Sequence, residues 1–472
     1  RMTNTTHATL ISLFALVAVS IVVSGCTSGE AYRGPAVELP ILWHVSDAHT
    51  LPPQVTEDNN AAVADVQPWW NGFQDETLSE LIRRALTNNQ NRRIAAARVL
   101  EARAIRQTTA SALYPQVGAT GTASRGNSFG VPTESPASLY RLGFDASYEV
   151  DFFGGNQRRA EASDASVEAT EAEYRHISLT LVADVASEYV TFRRLQHLLD
   201  LTHKTVESQR RLHEITRARE AEGAVSNFDV TQSLTLLRTT SARIPEIQRQ
   251  LDATAYRLAT LLGEVPGVIH DELSDMRPVP VAQASVALES PVEVVRARPD
   301  IQSAERKLAA ATALTDAAIS EMYPKITLSS LFGIQSTSLT GGGSIRSLGA
   351  SVVAPLINFG RIEGQIRASE ARQAQAFHAY KQAVLEALSE VETALSNIHK
   401  ENRTRHSLQE AVDSASQTVN TSRIRYKAGA TDFSEVLQSE QQLYDVTSQL
   451  VTSEARVSEY MITLCKALAL NM

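Results

Sequence analysis

The chain of 472 residues has only two cysteines, and aromatic side chains make up 6% of it. Two cysteines permit one disulfide at most, so a small fold stapled by several bridges is excluded. A surplus of positive charge is also missing. The net charge is -9, whereas nucleic-acid binding usually needs a basic face. Past residue 24 no apolar run approaches the roughly 20 residues that a spanning helix needs, which excludes a polytopic helical membrane protein. There is no Walker, HExxH or dinucleotide glycine pattern. His213-Glu214 lacks the second histidine of a zinc site, and the 11 histidines are scattered over polar helix faces. The chain therefore reads as a non-enzyme, with no catalytic residue, no metal ligand and no cofactor beyond a covalent lipid.

Proline and glycine are absent over unusually long stretches. Neither occurs in residues 156–222, and Gly364 is the sole example in residues 361–428. A continuous helix over either stretch would run roughly 100 Å at 1.5 Å per residue. Isolated globular helices rarely reach that length, so stacked-helix or coiled-coil packing is implied. Phe377, Tyr380, Val384, Ala387, Val391, Ala394 and Ile398 step 3-4-3-4-3-4 along a heptad seam. Val182, Val185, Tyr189, Phe192, Gln196 and Leu199 do the same earlier in the chain. A solvated coiled-coil rod would show the same seam.

What is present is an internal repeat of about 206 residues. Tyr114-Pro115 returns as Tyr323-Pro324, Phe153-Gly154 as Phe359-Gly360, and Gly223 as Gly429. Each copy is expected to run helix, strand, loop, strand, long helix, turn, long helix. The repeats are placed at 77–263 and 300–472, with strands at about 113–125 and 139–150 and at about 325–335 and 345–356. Proline-rich stretches at 26–76 and 264–299 read as extended connectors, the second equatorial.

The strands alternate. Tyr140, Leu142, Phe144, Ala146, Tyr148 and Val150 interleave with Arg141, Gly143, Asp145, Ser147 and Glu149. That is the length and pattern of a transmembrane β-strand, with Arg141, Asp145 and Glu149 as candidate lumen residues. Leu348, Ala350, Val352 and Ala354 interleave with Ser347, Gly349 and Ser351 in the second copy. A soluble two-faced sheet would alternate too. Polar loops at 126–138 and 336–344, the latter with Gly341-Gly342-Gly343, join the hairpins.

Four strands cannot close a barrel in lipid, where an open edge leaves backbone groups unpaired. Other copies must complete the ring. Two chains would give a side-chain-filled barrel of 8 strands, while three would give 12 strands with room for a channel. A charged lumen needs water, which favours the trimer. The long helices would continue the wall as a tube.

The N-terminus supplies an address. Residues 10–23 have the length of a signal-peptide apolar region, which places a signal peptide at 1–25. Val23-Ser24-Gly25-Cys26 resembles a bacterial lipobox, although only Arg1 charges the segment before it. Acylation of Cys26 would anchor the chain at the membrane surface. Thr27, by that resemblance, favours the outer membrane.

Trp69-Trp70-Asn71-Gly72-Phe73-Gln74-Asp75-Glu76-Thr77-Leu78 opens the first helix, and Arg298-Pro299-Asp300-Ile301 with Ala304-Glu305 opens its counterpart. Glu149-Val150-Asp151-Phe152-Phe153-Gly154 ends the second strand, and Ala354-Pro355-Leu356-Ile357-Asn358-Phe359-Gly360-Arg361 ends the fourth. With the lipobox, these resemble the TolC/OprM-like outer-membrane efflux factors over nearly the whole mature chain. The resemblance is specifically to the lipoprotein subgroup that serves resistance-nodulation-division pumps. The resemblance implies an α+β membrane protein: a homotrimer with a 12-stranded β-barrel in outer-membrane lipid and a long periplasmic α-helical barrel. It also implies a passive duct for small molecules, docked on a periplasmic membrane-fusion adaptor and an inner-membrane pump. A duct for type I protein secretion is the alternative.

The turns far from the strands hold the gate candidates. Gly223 is followed by Ser226 and Asp229, and Gly429 by Asp432, Ser434, Glu435 and Gln438. In several copies Asp229 and Glu435 would form a carboxylate ring that favours cations. Ser226-x-x-Asp229 and Asp432-x-x-Glu435 equally fit capping boxes, and both glycines suit helix ends. By resemblance, Glu435 occupies an acidic-ring position, Tyr426 makes polar contacts that hold the tip closed, and Gln438 replaces a second acid. The two turns are the expected adaptor contacts.

Overall fold

The computed structural model describes residues 32, 34–35, 39–40, 43, 68–126, 137–281, 290–338 and 341–470. Cys26, the signal segment 1–25, most of 26–76 and the loop residues 127–136 lie outside the described residues.

A 3₁₀ turn at Trp69–Phe73 leads into α1 (Glu76–Asn88) and α2 (Gln90–Ala110). Asp75 caps α1, its Oδ1 accepting the Leu78 N–H at 3.0 Å. The single helix expected here is broken at Asn89. That side chain accepts the Arg92 N–H and donates to the Leu261 carbonyl, both at 2.9 Å.

After β1 (Gln116–Gly126) and β2 (Ala137–Val150) come α3 (Gly155–Ala221), α4 (Asn227–Ser241) and α5 (Arg243–Leu262). The proline-rich connector holds α6 (Val268–Glu272) and α7 (Pro291–Ala297). The second repeat supplies α8 (Pro299–Ser320), β3 (Lys325–Thr337), β4 (Gly341–Val353), α9 (Arg361–Lys427) and α10 (Phe433–Ala467). Both α3 and α9 are 67 residues long.

Five local expectations need correction. Strand β1 starts at Gln116 rather than 113, because Ser111–Leu113 is a 3₁₀ turn and Pro115 has no N–H for a ladder. Strand β4 runs 341–353 rather than 345–356. Gly341, Gly342 and Gly343 were expected in a loop, yet they pair by backbone with Thr337, Ser336 and Gln335. The connector 264–299 is not wholly extended: Ser290 forms a capping box with Glu293, and Pro291 sits where a helix tolerates a missing N–H. The return helix of the first repeat is interrupted at Ala242, because Pro245 removes an N–H and crowds the preceding turn. Its counterpart α10 is continuous over 35 residues.

The chain divides into two compact units that cut across the repeats. The first comprises the described residues of Arg1–Val37, Ala97–Ala172 and Gln302–Ala383. Its centre is one antiparallel sheet in the order β1-β2-β3-β4. The two hairpins join through β2 and β3, from Leu139↔Thr337 to Val150↔Ile326. Just beyond, the Phe153 and Tyr323 rings stack 4.5 Å apart at 14°. Arg103–Glu171 (2.7 Å), Arg306–Glu168 (3.0 Å) and Arg158–Asp316 (3.5 Å) tie the flanking helices together.

The second unit comprises the described residues of Glu38–Ala96, Glu173–Ile301 and Val384–Met472. Its core gathers Leu78, Leu81 and Ile82 of α1 with Val182, Val185, Tyr189 and Phe192 of α3, Leu258 and Leu262 of α5, Val391 of α9 and Ile462 of α10. On the heptad seams Val182, Val185, Tyr189, Phe192, Val384, Ala387, Val391, Ala394 and Ile398 are buried in this unit, while Gln196 and Leu199 are half-buried. Cys465 is a free buried thiol, pushed up to about 12 by burial, and behaves as a small core residue.

Two polar clusters sit at the edge of this core. Arg193, 1% exposed, donates to the Asp275 carbonyl at 2.7 Å and to Tyr189 Oη at 3.1 Å. Tyr189 in turn donates to the capping residue Asp75 at 2.8 Å. Arg298 forks onto Asp300 (2.6 and 3.1 Å), reaches Glu390 at 2.8 Å, and donates to the Ala467 carbonyl at 3.0 Å. The two sequence motifs that open the repeats thus anchor helix starts to the core. Among the described residues no helix is long and apolar enough to cross a membrane.

Candidate functional site

The strand register sorts the sheet into two faces, because residues opposite each other share a side. One carries Arg141, Asp145, Ser147 and Glu149 of β2 beside Thr120 and Thr122 of β1, Thr327, Ser329 and Gln335 of β3, and Ser347 and Ser351 of β4. The other carries Tyr140, Leu142, Phe144, Phe332, Ile334, Leu348 and Val352, all exposed. The three proposed lumen residues therefore lie along one mainly polar face, which also carries Leu331 and Ile345, while Arg346 falls on the other face opposite Phe332.

Each has its own setting. Arg141 donates to Gln335 Oε1 from Nη2 at 2.9 Å and from Nε at 3.2 Å. One register step on, Gly143 faces Gly333, and a Cβ on Gly333 would come within 2.6 Å of Gly143 Cα. Asp145 lies opposite Gly118, and its buried Oδ1 has no hydrogen-bond partner among the described residues. Glu149 Oε1 stands 3.5 Å from Asn156 Nδ2 at the start of α3.

The helix turns end alike and begin differently. Gly223 and Gly429 hold φ 73° and 72°. The Ala224 N–H donates to the Arg219 carbonyl and the Ala430 N–H to the Arg425 carbonyl, both at 2.9 Å. These six-residue closures need the left-handed conformation that glycine supplies without a Cβ clash. At the next helix start, Asp229 Oδ2 accepts the backbone N–H and the hydroxyl of Ser226, each at 3.0 Å. The second repeat does not form the capping box that its spacing suggests: Asp432 makes no side-chain cap bond. Glu435 instead lies 3.4 Å from Arg425 on α9.

Tyr426 is held by rings and charge. Its ring lies 5.1 Å from that of Phe433, and the Arg219 guanidinium stands 5.2 Å from its centroid, a cation–π arrangement that links α3 to α9. Its buried hydroxyl has no partner among the described residues. Ser434 is exposed. Glu435 and Gln438 occupy adjacent turns of α10 and line a cavity of about 480 Å³ with Ser414, Thr418 and Gln442.

One element escaped the sequence reading. Glu440, 5% exposed, accepts from Arg423 Nε at 2.8 Å, while Arg423 Nη2 donates to Ser208 Oγ at 3.0 Å. Beside it, Ser422 and Ser439 hydroxyls meet at 2.8 Å. This polar layer ties α3, α9 and α10 together above the turns. The signal for it was a carboxylate in the otherwise apolar series Phe433, Val436, Glu440, Tyr444. Among the described residues no group of histidine, cysteine and acidic side chains could hold a metal ion.

Residues 81–264 and 291–470 match the family described as Outer membrane efflux protein. The pyoverdine export outer membrane protein OpmQ of Pseudomonas aeruginosa is 27% identical over 465 residues, 96% of each chain. The probable outer membrane lipoprotein SilC of Salmonella typhimurium is 28% identical over 450 residues, 92% of this chain and 94% of its own. The solved structure of the outer-membrane channel OprN superposes with a TM-score of 0.85 at 27% identity, covering 94% of this chain and 99% of that one.

Proposed function

The chain belongs to the outer membrane efflux protein family and is an outer-membrane efflux channel, and on that premise we propose that three copies close one duct. The observation that carries this reading is a sheet with an exposed apolar face and two strands, β1 and β4, at its open edges. Lipid suits the face but cannot satisfy the edges. With four strands the first and last run antiparallel, so β4 of one copy pairs with β1 of the next, and three copies give 12 strands. The polar face with Arg141, Asp145 and Glu149 then lines water, and the α-helices continue the wall into the periplasm.

The duct has no chemistry of its own. Solutes reach it from an inner-membrane resistance-nodulation-division pump through a periplasmic adaptor that grips the turns at Gly223 and Gly429. The export role in the name of OpmQ supports small-molecule cargo. The lipoprotein name of SilC supports acylation at Cys26 as the outer-membrane anchor. Tyr426, Ser434, Glu435 and Gln438 hold the tip closed until the adaptor engages, and Asp229 serves chiefly as a cap.

Light scattering of the detergent-purified protein, corrected for detergent, is expected to give the mass of three chains. Tyr426→Phe with Glu435→Gln is expected to raise single-channel conductance in planar bilayers. A monomer that stays folded without detergent would overturn the barrel, and unchanged conductance would overturn the gate.

A further inference from the structure

The repeat has an aromatic junction that the single chain completes only once. In the first repeat Phe153 lies just past the end of β2, and it stacks on Tyr323, which lies just before β3. Strand pairing brings them together: β2 and β3 are neighbours, so the residues flanking their shared end meet. The corresponding residues of the other two strands are Phe359, which follows β4 by six residues where Phe153 follows β2 by three, and Tyr114, just before β1. The tyrosine turns and the glycines after each phenylalanine share their backbone form, although of the two phenylalanines Phe359 alone has a positive φ. The Tyr114 N–H donates to the Ser111 carbonyl and the Tyr323 N–H to the Ser320 carbonyl, both at 3.1 Å, and Gly154 and Gly360 hold φ 77° and 83°.

Yet this second pair is apart. Phe359 is 98% exposed and Tyr114 68% exposed, and among the described residues neither ring meets another. Leu356 and Ile357, beside Phe359, are also exposed, at 89% and 79%. Phe359 moreover holds φ 51°, a conformation that a bulky residue adopts only at a cost in strain. An apolar tract of this kind, set in a strained turn, is a surface awaiting a partner.

We infer that Phe359 of one copy stacks on Tyr114 of the next, reproducing between chains the Phe153–Tyr323 contact made within each chain. The inference rests on the trimer proposed above and names one contact that seals it. Pairing β4 with β1 of the next copy sets Phe359 and the neighbour's Tyr114 at one shared strand end, as β2–β3 pairing does for Phe153 and Tyr323. Leu356 and Ile357 then cover the neighbour's strand start, and the ring would close with equivalent aromatic junctions at each alternate seam. The occupant is a second copy of this chain and not lipid, because the neighbouring open edge must be filled by a strand that carries its own tyrosine.

The test places p-benzoylphenylalanine at Phe359 in the full chain, expressed in outer membranes from a mixture of isotopically light and heavy chains. Illumination is expected to give an adduct between light and heavy chains, mapped by mass spectrometry to the peptide containing Tyr114. In parallel, Phe359→Ala is expected to lower by several degrees the temperature at which the detergent-resistant oligomer dissociates, with Phe359→Tyr close to wild type. A trimer whose adducts fall within one chain, on lipid or elsewhere on the neighbour overturns this contact alone. So does a Phe359→Ala oligomer as heat-resistant as wild type. A wild-type mass other than three chains overturns the trimer itself.

Discussion

Glu435 Oε1 lies 3.4 Å from Arg425 Nη1 across the turn between α9 and α10, whereas its counterpart Asp229 is bonded to Ser226. Both members of the Glu435–Arg425 pair are about half exposed, so the contact is worth on the order of 0.2–1 kcal/mol. A weak latch of this kind suits the gate proposed above. Glu435→Gln should therefore leave thermal stability nearly unchanged while raising the fraction of time the channel conducts. Ser226→Ala should do the reverse, costing about 1 kcal/mol through loss of the cap. Thermal unfolding and bilayer recordings of both variants separate the two roles.

Arg298 is almost enclosed, and it holds Asp300, Glu390 and the Ala467 carbonyl together. Burial alone would raise the Asp300 carboxyl, but hydrogen bonding and charge from Arg298 hold it below the usual carboxylate range. Arg298→Ala leaves that half-buried carboxylate without its guanidinium partner, and should cost about 3–5 kcal/mol. Circular dichroism melts in detergent check it.

Gly143 and Gly333 face each other with no room for a methyl: a Cβ on Gly143 would sit 2.8 Å from the Phe332 carbonyl oxygen. Gly333→Val should therefore break the β2–β3 seam and abolish heat-modifiable migration on gels. Gly121→Val is the control, because a Cβ there first meets the Leu142 side chain at 3.7 Å. That variant should migrate as wild type.

Burial lowers the His176 imidazole below its ordinary range, with Lys466 and Arg298 adding to the effect and Asp300 and Glu390 opposing it. The folded chain thus binds fewer protons than the unfolded one, so this group's contribution is complete above the ordinary histidine pKa and is lost as pH falls below it. Asp184 and Glu188, raised by burial, contribute in the opposite sense and at lower pH. Melting temperatures at pH 7.5 and 5.5 should fall more for wild type than for His176→Gln.

Much of the fold is legible where side chains alternate or step regularly. Tyr140 to Val150 declares β2 because each second residue meets a different solvent. The seam from Tyr380 to Ile398 declares α9 for the same reason with a different period. Legibility ends where side chains stop carrying the information. Gly341, Gly342 and Gly343 have nothing to alternate, so backbone pairing with β3 extended β4 unseen. The short helix at Pro291 was hidden within a proline-rich connector because the tolerance of proline at a helix start depends on Ser290 before it. At the turns, equal spacing hid unequal bonding: Ser226 closes a box on Asp229, while Asp432 leaves Glu435 to Arg425. Glu440 was hidden because its partner Arg423 arrives from another helix.

The open edges of the sheet also bear on biogenesis. A lone chain finds no medium that suits it: water opposes one face of its sheet, and hydrocarbon opposes the unpaired strands. Insertion and association must then be a single thermodynamic event, so the yield of inserted channel should depend on how many chains reach the same patch of membrane at once. The local concentration of chains at the site of assembly, and not the stability of the isolated chain, would set how many ducts a cell obtains.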